Sequence, residues 1–404
     1  MNDVQTTVTT ILDAIAEEGL VAALRYTHLY DRVQLEPYDV RWDPFDLEPE
    51  QDDSMLTEEI QAAIDFAIDR IRWFHERIRP QATRVSPEPG LTLEERFVAL
   101  GRVGLYVPNG EYPLLSSLLM TAVPARVAGV QDIVVAVSPQ RAVRSDPRWL
   151  YALKKLQIHE VLNLGGAQAI GILGYGYEGF SPVDLIAGPG NAYVTQAKEE
   201  LRRRGRVGID VSAGPSEVMI IAENLEYLSV IIEDLLAQAE HGPGAVGILV
   251  TWNPDLANRV QAHVEGIPSG SLMGTVQVIR TTTPGEALAV ANTMAPEHLG
   301  LMGPGAESLL DRVRTAGAVF VGPMAGQALG DYVAGPSHVL PTGGSGRFQS
   351  GLSTGTFMRR MSIIGATSSI SRETLEMGAI LAELEGLTHH QASLRLRIKT
   401  RTDE

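Results

Sequence analysis

The period of the apolar positions changes near residue 100. Across 57–79, Ile60, Ile64, Ala67, Ile68, Ile71 and Phe74 form one stripe at helical spacing, with acids and arginines opposite, which predicts an amphipathic helix. Residues 1 to about 85 read as helical throughout, except that 36–53 is acidic and proline-containing and reads as a loop or weak strand. From about residue 103, short β-branched runs alternate with helical stretches: 103–106, 133–137, 160–162, 184–186, 218–221, 246–251, 276–280 and 318–321. Such alternation is the pattern of parallel sheets with crossover helices, and there are more strands than one small domain needs, so two doubly wound α/β units are predicted. Near the C-terminus a helical stretch leads into a strand at 394–398, a polar tail of the kind that packs on a partner subunit.

Length agrees with this division, because 404 residues exceed the size at which a single core stops growing. The net charge of −16 and pI near 5.1 give a field that repels phosphate backbones and anionic membrane surfaces, so no nucleic-acid or membrane partner is expected. The basic run Arg202-Arg203-Arg204-Gly205-Arg206 follows Glu199-Glu200 and reads as a solvated helix C-terminus. The N-terminus lacks the basic and apolar regions of a signal peptide. The richest apolar segment, 114–125, is broken by Ser116, Ser117 and Pro124, so no membrane span is expected. The chain has no cysteine; this rules out disulfides and fits a cytoplasmic protein. It also means that any zinc must sit on nitrogen and oxygen, and that any aldehyde chemistry proceeds without a thioester.

Several polar groupings stand out. Ala-Gly-Pro recurs at 187–189, 213–215 and 334–336, each time leading into a polar side chain. These are expected at strand ends, where glycines let backbone approach a ligand, although one isolated copy would read as a tight turn. Gly174, Gly176 and Gly179 form a literal Gly-x-Gly-x-x-Gly, but Phe180-Ser181-Pro182 follows where a helix N-terminus is needed, so it reads as a turn. Gln238 and His241 fall three apart on a predicted helix and could share a metal, or His241 could cap the helix before Gly242-Pro243. Glu297-His298 could divide proton transfers, or be a helix-end histidine beside a solvated glutamate. Asp331, His338, Glu385, His389 and His390 are open in the same way.

Together, and in their order, these runs resemble the histidinol dehydrogenase family. The matching runs are Gly104-Leu-Tyr-Val-Pro, Gly165-Gly-Ala-Gln-Ala-Ile, Gly188-Pro-Gly-Asn-Ala-Tyr-Val-Thr, Ala213-Gly-Pro-Ser-Glu-Val, Gln238-Ala-Glu-His, Ala295-Pro-Glu-His-Leu, Gly330-Asp-Tyr and His338-Val-Leu-Pro-Thr, spanning about 95–395, with 1–94 matching more loosely. The resemblance implies a Zn2+ site on Gln238, His241, Asp331 and His390. It implies Glu297 and His298 as the acid/base pair, with substrate contacts from Ser216, His338 and Glu385 as well as the zinc ligands and Glu297. NAD contacts fall on Tyr106, Gln168 and Asn191. A cytoplasmic homodimer is implied in which the C-terminal tail of one subunit, with Glu385 and His390, completes the site of the other. The fold expected is α/β, with two doubly wound Rossmann-like domains: a helical part of the first domain at 1–104, a cofactor-binding domain at 105–217, the rest of the first domain at 218–352, and a dimerisation tail at 353–404.

The implied activity is oxidation of L-histidinol to L-histidine with two NAD, by way of an aldehyde. Without cysteine, the second oxidation must pass through the aldehyde hydrate, with Glu297 activating water and His298 taking protons. The chain departs from the family pattern at Asn109-Gly110-Glu111-Tyr112 and at Ser337, where an Asn is usual, and it is short at the N-terminus. A paralogue acting on another small polar alcohol such as a sulfonated diol is therefore the alternative. A zinc hydrolase would not need Gln168 and Asn191, and a non-catalytic descendant would be expected to have lost some of these residues.

Overall fold

The structure is a computed structural model that describes residues 2–47, 55–108, 114–139, 143–211, 214–268 and 270–401. The chain divides into two compact units, Met1–Ile78 with Leu100–Phe357, and Arg79–Ala99 with Met358–Glu404. Among the described residues no helix is long and apolar enough to cross a membrane. Asn109, Gly110, Glu111, Tyr112 and Ala213 lie outside the described residues.

The first unit holds two sheets. In one, the order is Arg41–Trp42, Glu160–Leu162, Asp132–Val137, Arg102–Val107, Leu185–Ala187, Gly208–Ile209, parallel except for the antiparallel edge Arg41–Trp42. The other is wholly parallel, in the order Thr275–Arg280, Val246–Thr251, Glu217–Ala222, His298–Met302, Ala318–Val321. Central strands such as Asp132–Val137 and Glu217–Ala222 are buried almost end to end, as covering both faces of a parallel sheet requires. All of the β-branched runs read from the sequence are strands, to within about a residue at each end. The helix expected over 57–79 is Glu58–Arg77, capped by Thr57, whose hydroxyl accepts from the Ile60 amide at 3.3 Å. The glycines at 174–179 do form a turn, with Gly176 and Gly179 at φ 74° and 83° and Tyr177 exchanging backbone hydrogen bonds with Phe180.

Four local expectations need correction. His298–Met302 is a central strand, so Glu297-His298 opens a strand and does not end a helix. Residues 394–398 lie inside the helix Thr388–Lys399. Strands at Thr83–Glu88 and Leu91–Ala99 interrupt what read as a helical N-terminal region, and Met358–Ala366 opens what read as a helical tail. Of the Ala-Gly-Pro copies, the one at Gly188 follows a strand, whereas Gly214-Pro215 leads into Glu217–Ala222 and Gly335-Pro336 follows the short helix Gln327–Tyr332.

In the second unit, Met358–Ala366, Leu91–Ala99 and Thr83–Glu88 make an antiparallel sheet. Its helices Arg372–Leu384 and Thr388–Lys399 approach closely at Gly378, where an added Cβ would stand 3.1 Å from Leu394.

Both sheets of the first unit are doubly wound. In the first, the chain leaves Arg102–Val107 in one direction and resumes on its other side at Leu185–Ala187, which makes this pair the topological switch point. The turn after Leu185–Ala187 is tightly fixed. Gly188 has φ 114° and a Cβ there would lie 2.1 Å from the Tyr106 carbonyl oxygen. The Gly188 amide donates to Asp210 at 2.7 Å, and the buried Lys198 ammonium donates to the Gly188 carbonyl at 3.0 Å while pairing with Asp210. Removing one partner of a buried pair leaves an uncompensated charge, so Lys198→Ala is expected to cost about 3–5 kcal/mol. Denaturant unfolding of the variant beside the parent measures this.

Candidate active site

Glu297 and His298 enter the central strand His298–Met302 beside Ser216 and Glu217 at the entry of Glu217–Ala222, with His298 in register with Val218. The Glu297 carboxylate, 7% exposed, accepts from the Ser216 hydroxyl and from the Glu217 amide at 3.0 Å. Burial raises its pKa, against the pull of His298, Ser216 and the Glu217 amide. His298 is buried too. Its Nδ1 lies 3.3 Å from the Glu217 carbonyl oxygen and 3.7 Å from Glu297, and its Nε2 is 3.6 Å from Asp331 Oδ1. A carbonyl only accepts, so Nδ1 carries a proton. At 3.6 Å, Nε2 and Asp331 are at ion-pair separation, beyond hydrogen-bond length, and Nε2 has no hydrogen-bond partner. Burial opposes charge on this imidazole, but Asp331 and Glu297 outweigh it and its pKa is raised.

Asp331 lies between two histidines of opposite tendency. Its own pKa is lowered, because the surrounding imidazoles overcome burial. His338 donates from Nδ1 to the Asp331 carbonyl oxygen at 3.0 Å, so its Nε2 is the acceptor, 3.4 Å from the Ser117 hydroxyl. Burial lowers the pKa of His338 and keeps it neutral. Ser337 fixes this turn: its hydroxyl donates to the Met120 carbonyl at 3.0 Å and accepts from the Val339 amide at 3.2 Å.

Gln238 is fully buried near the end of helix Leu228–Ala239, and neither its Nε2 nor its Oε1 has a partner. An unpaired buried amide costs about 1–3 kcal/mol, so a ligand for it is expected. His241 lies past the helix end, exposed, with Nδ1 2.8 Å from the Ala237 carbonyl oxygen; this is the capping contact, and it leaves Nε2 as the nitrogen available to a ligand. Among the described residues no three His, Asp or Glu side chains cluster as a metal site. The oxygen and nitrogen set Gln238, His241 and Asp331 nevertheless suits a borderline cation in its chemistry, with the Gln238 amide as the group lacking a partner. Glu385 and His390 belong to the second unit, where both are exposed.

The three residues matched to NAD contacts come together at the switch point of the first sheet. Tyr106, Gln168 and Asn191 line one cavity of about 580 Å³. The Tyr106 hydroxyl accepts from the Gly166 amide at 3.2 Å, and burial pushes its pKa up to about 12, so it stays a donor. Asn191 caps helix Ala192–Arg203 by accepting from the Tyr193 and Val194 amides. The Gln168 amide donates to Asp31 at 2.8 Å. Burial raises the pKa of Asp31, against hydrogen bonds from Gln168 and Ser138.

The histidinol dehydrogenase family model matches residues 1–398. A histidinol dehydrogenase of Thermosynechococcus vestitus is 40% identical, covering 99% of this chain and 94% of its own length. That of Moorella thermoacetica is 40% identical over 96% and 92%. The chain belongs to the histidinol dehydrogenase family. The crystal structure of histidinol dehydrogenase from Elizabethkingia anophelis superposes with TM-score 0.88 at 30% identity, covering 98% of this chain and 92% of that one. A lactaldehyde dehydrogenase from Escherichia coli reaches TM-score 0.51 at 12% identity, over 86% and 90%, which shows a shared fold alone. As a histidinol dehydrogenase family member this chain is an oxidoreductase, and the match includes the N-terminal residues whose motifs resemble the family more loosely.

The structure thus groups Ser216, Glu297, His298, Asp331 and His338 in one array, and Tyr106, Gln168 and Asn191 in one cavity. Sequence reading missed Glu217, although it lies inside the Ala213-Gly-Pro-Ser-Glu-Val run, and Ser117, which registered only as a break in an apolar stretch. Ser216 is one of two donors that favour the ionised form of Glu297 against its burial. Ser216→Ala should therefore raise the Glu297 pKa further. A carboxylate that serves as a base loses its working form as pH falls through its pKa, so an acid limb set by Glu297 is expected to move to higher pH in a measured pH–rate profile.

Proposed function

We propose that this chain is a zinc-dependent, NAD-linked histidinol dehydrogenase that converts L-histidinol to L-histidine by way of L-histidinal. The observation that carries the reading is the buried Glu297–His298–Asp331 array, with Ser216 on the glutamate and His338 on the aspartate, in a chain 40% identical to enzymes bearing that name. Gln238, His241 and Asp331 would hold zinc, together with His390, and the unpartnered Gln238 amide supports this. Bound zinc would supply a Lewis acid that orients the substrate, and bound NAD would supply the hydride acceptor.

The side chains account for the protons. His298, presenting Nε2 to the site, takes the hydroxyl proton as the alcohol becomes an aldehyde, and Asp331 and Glu297 stabilise the imidazolium that results. In the second oxidation the species losing hydride is the aldehyde hydrate. Glu297, its pKa raised by burial, is suited to draw the proton from the attacking water, and His298 again takes the hydroxyl proton. No thiol exists to trap the aldehyde, and in this reading water is the nucleophile. His338, held neutral, suits contact with an uncharged or cationic part of the substrate. Glu385 and His390 reach the site from the tail of a partner subunit in this reading, which makes the working form a homodimer.

NADH formation with histidinol, set against a panel of amino alcohols and sulfonated diols, tests the substrate; a diol preferred over histidinol would overturn it. Chelation should abolish turnover and added zinc should restore it, with about one zinc per chain by elemental analysis. Glu297→Gln should slow oxidation of synthetic histidinal by about 10²-fold or more and the alcohol step by much less, because only the second step needs activated water. Single-turnover measurement of each step separates the two, and a variant oxidising histidinal at the parental rate would remove Glu297 from the mechanism.

A further inference from the structure

The cofactor cavity has a wall that the family motifs do not include. Besides Tyr106, Gln168 and Asn191, it is lined by Thr7 and Ile11 of the first helix and by Tyr30 and Asp31. Asp31 ends the π-helical segment Thr27–Asp31, and Arg32 after it turns the backbone into the left-handed region, φ 57° and ψ 29°. Irregular helical turns and left-handed non-glycine residues cost energy and concentrate where a side chain must be aimed. Here the side chain aimed at the cavity is a carboxylate.

We propose that Asp31 is the specificity-determining residue of the cofactor cavity, selecting a dinucleotide whose adenosine ribose carries free hydroxyls over one carrying a 2′-phosphate. The inference rests on the NAD reading of this cavity given above. Asp31 accepts from Gln168 Nε2 at 2.8 Å, which fixes the amide so that Gln168 Oε1, close to the Gly166 backbone, is left as an acceptor. Carboxylate and amide carbonyl together present acceptors, and a vicinal diol offers two donors to match them.

The rest of the cavity fits the neighbouring parts of the same ligand. Helices Gly166–Tyr175 and Ala192–Arg203 both begin at its edge; the Gly166, Tyr193 and Val194 amides are taken by Tyr106 and Asn191, and the positive ends of the two helix dipoles still suit a pyrophosphate. The half-exposed rings of Tyr30 and Tyr193 line the cavity and suit stacking on a base. A 2′-phosphate would set an acceptor with charge against Asp31. Among the described residues lining the cavity there is no Lys or Arg to offset it; Arg32, next in the chain, is not one of them. An acid on the ribose diol and a cation on the 2′-phosphate are the general alternatives for dinucleotide selection.

The test compares kcat/KM for NAD and NADP in the purified full chain and in Asp31→Asn. Asparagine keeps the shape and an oxygen that can accept from Gln168 Nε2, so it isolates the charge. The parent should favour NAD by about 100-fold or more, and Asp31→Asn should narrow that ratio by about 10-fold, through KM for both cofactors and not through kcat. A general structural defect would lower turnover with both cofactors and leave the ratio unmoved. A second measurement needs no variant: 5′-AMP should compete with NAD in the parent, and adenosine 2′,5′-bisphosphate should compete far less. Equal use of NAD and NADP, equal competition, or a ratio untouched in Asp31→Asn would each overturn the role of Asp31 and leave the NAD reading standing. A parent that reduces neither dinucleotide would overturn both.

Discussion

The candidate site depends on one electrostatic arrangement: an imidazole buried between two carboxylates at the entry of a central parallel strand. His298 is 3% exposed and Glu297 is 7% exposed, and either would be costly to bury charged and alone. Each is retained because the other, with Asp331, shares the charge. The backbone does much of the holding. The Glu217 amide donates to Glu297 while the Glu217 carbonyl receives His298 Nδ1, so the backbone of a single residue on the neighbouring strand orients both side chains. Strand pairing between His298–Met302 and Glu217–Ala222 is thus the scaffold of the array, and the register of that pair sets its geometry.

The two sheets of the first unit use opposite ends. Tyr106 and Gly188 lie at or just beyond the carboxyl ends of their strands, at the switch point where open α/β sheets bind ligands. Ser216, Glu297 and His298 stand at the amino ends of theirs. In a sheet used only as a cofactor cradle the amino end would carry no chemistry. Here it carries the side chains suited to move protons, while glycine turns and helix starts cluster at the carboxyl end of the other sheet. The division separates two environments: a cavity of helix starts and polar side chains with one carboxylate, Asp31, in its wall, and a buried array of ionisable groups.

Most of the fold was legible because parallel strands buried on both faces appear in sequence as β-branched runs, and all of those runs are strands. His298–Met302 was not, because two polar residues and a glycine break the apolar signal where the strand enters the site, so function masked the period. Strands Leu91–Ala99 and Met358–Ala366 were hidden for another reason. Their sheet is largely half-exposed, with polar residues on both faces, and alternation disappears when neither face is a core. Helix Thr388–Lys399 was partly misread as a strand because it has no fully buried residue and hence no apolar stripe to set a 3.6 period.

The site residues were legible only through the order of many short motifs, and the structure shows why each alone was ambiguous. His241 does make the helix-end contact that the bland reading assigned it, through Nδ1, and still has Nε2 to offer; capping and ligation are compatible uses of one imidazole. Gln238 is the contrasting case: fully buried with both amide atoms unpaired, it has no structural reason to be polar. Ser337 stands where the family pattern has Asn, but its hydroxyl donates to the Met120 carbonyl and accepts from the Val339 amide, so it shapes the turn that presents His338. That departure is therefore compatible with the family's substrate, because the group it alters is the support of His338 and the imidazole it supports keeps its tautomer.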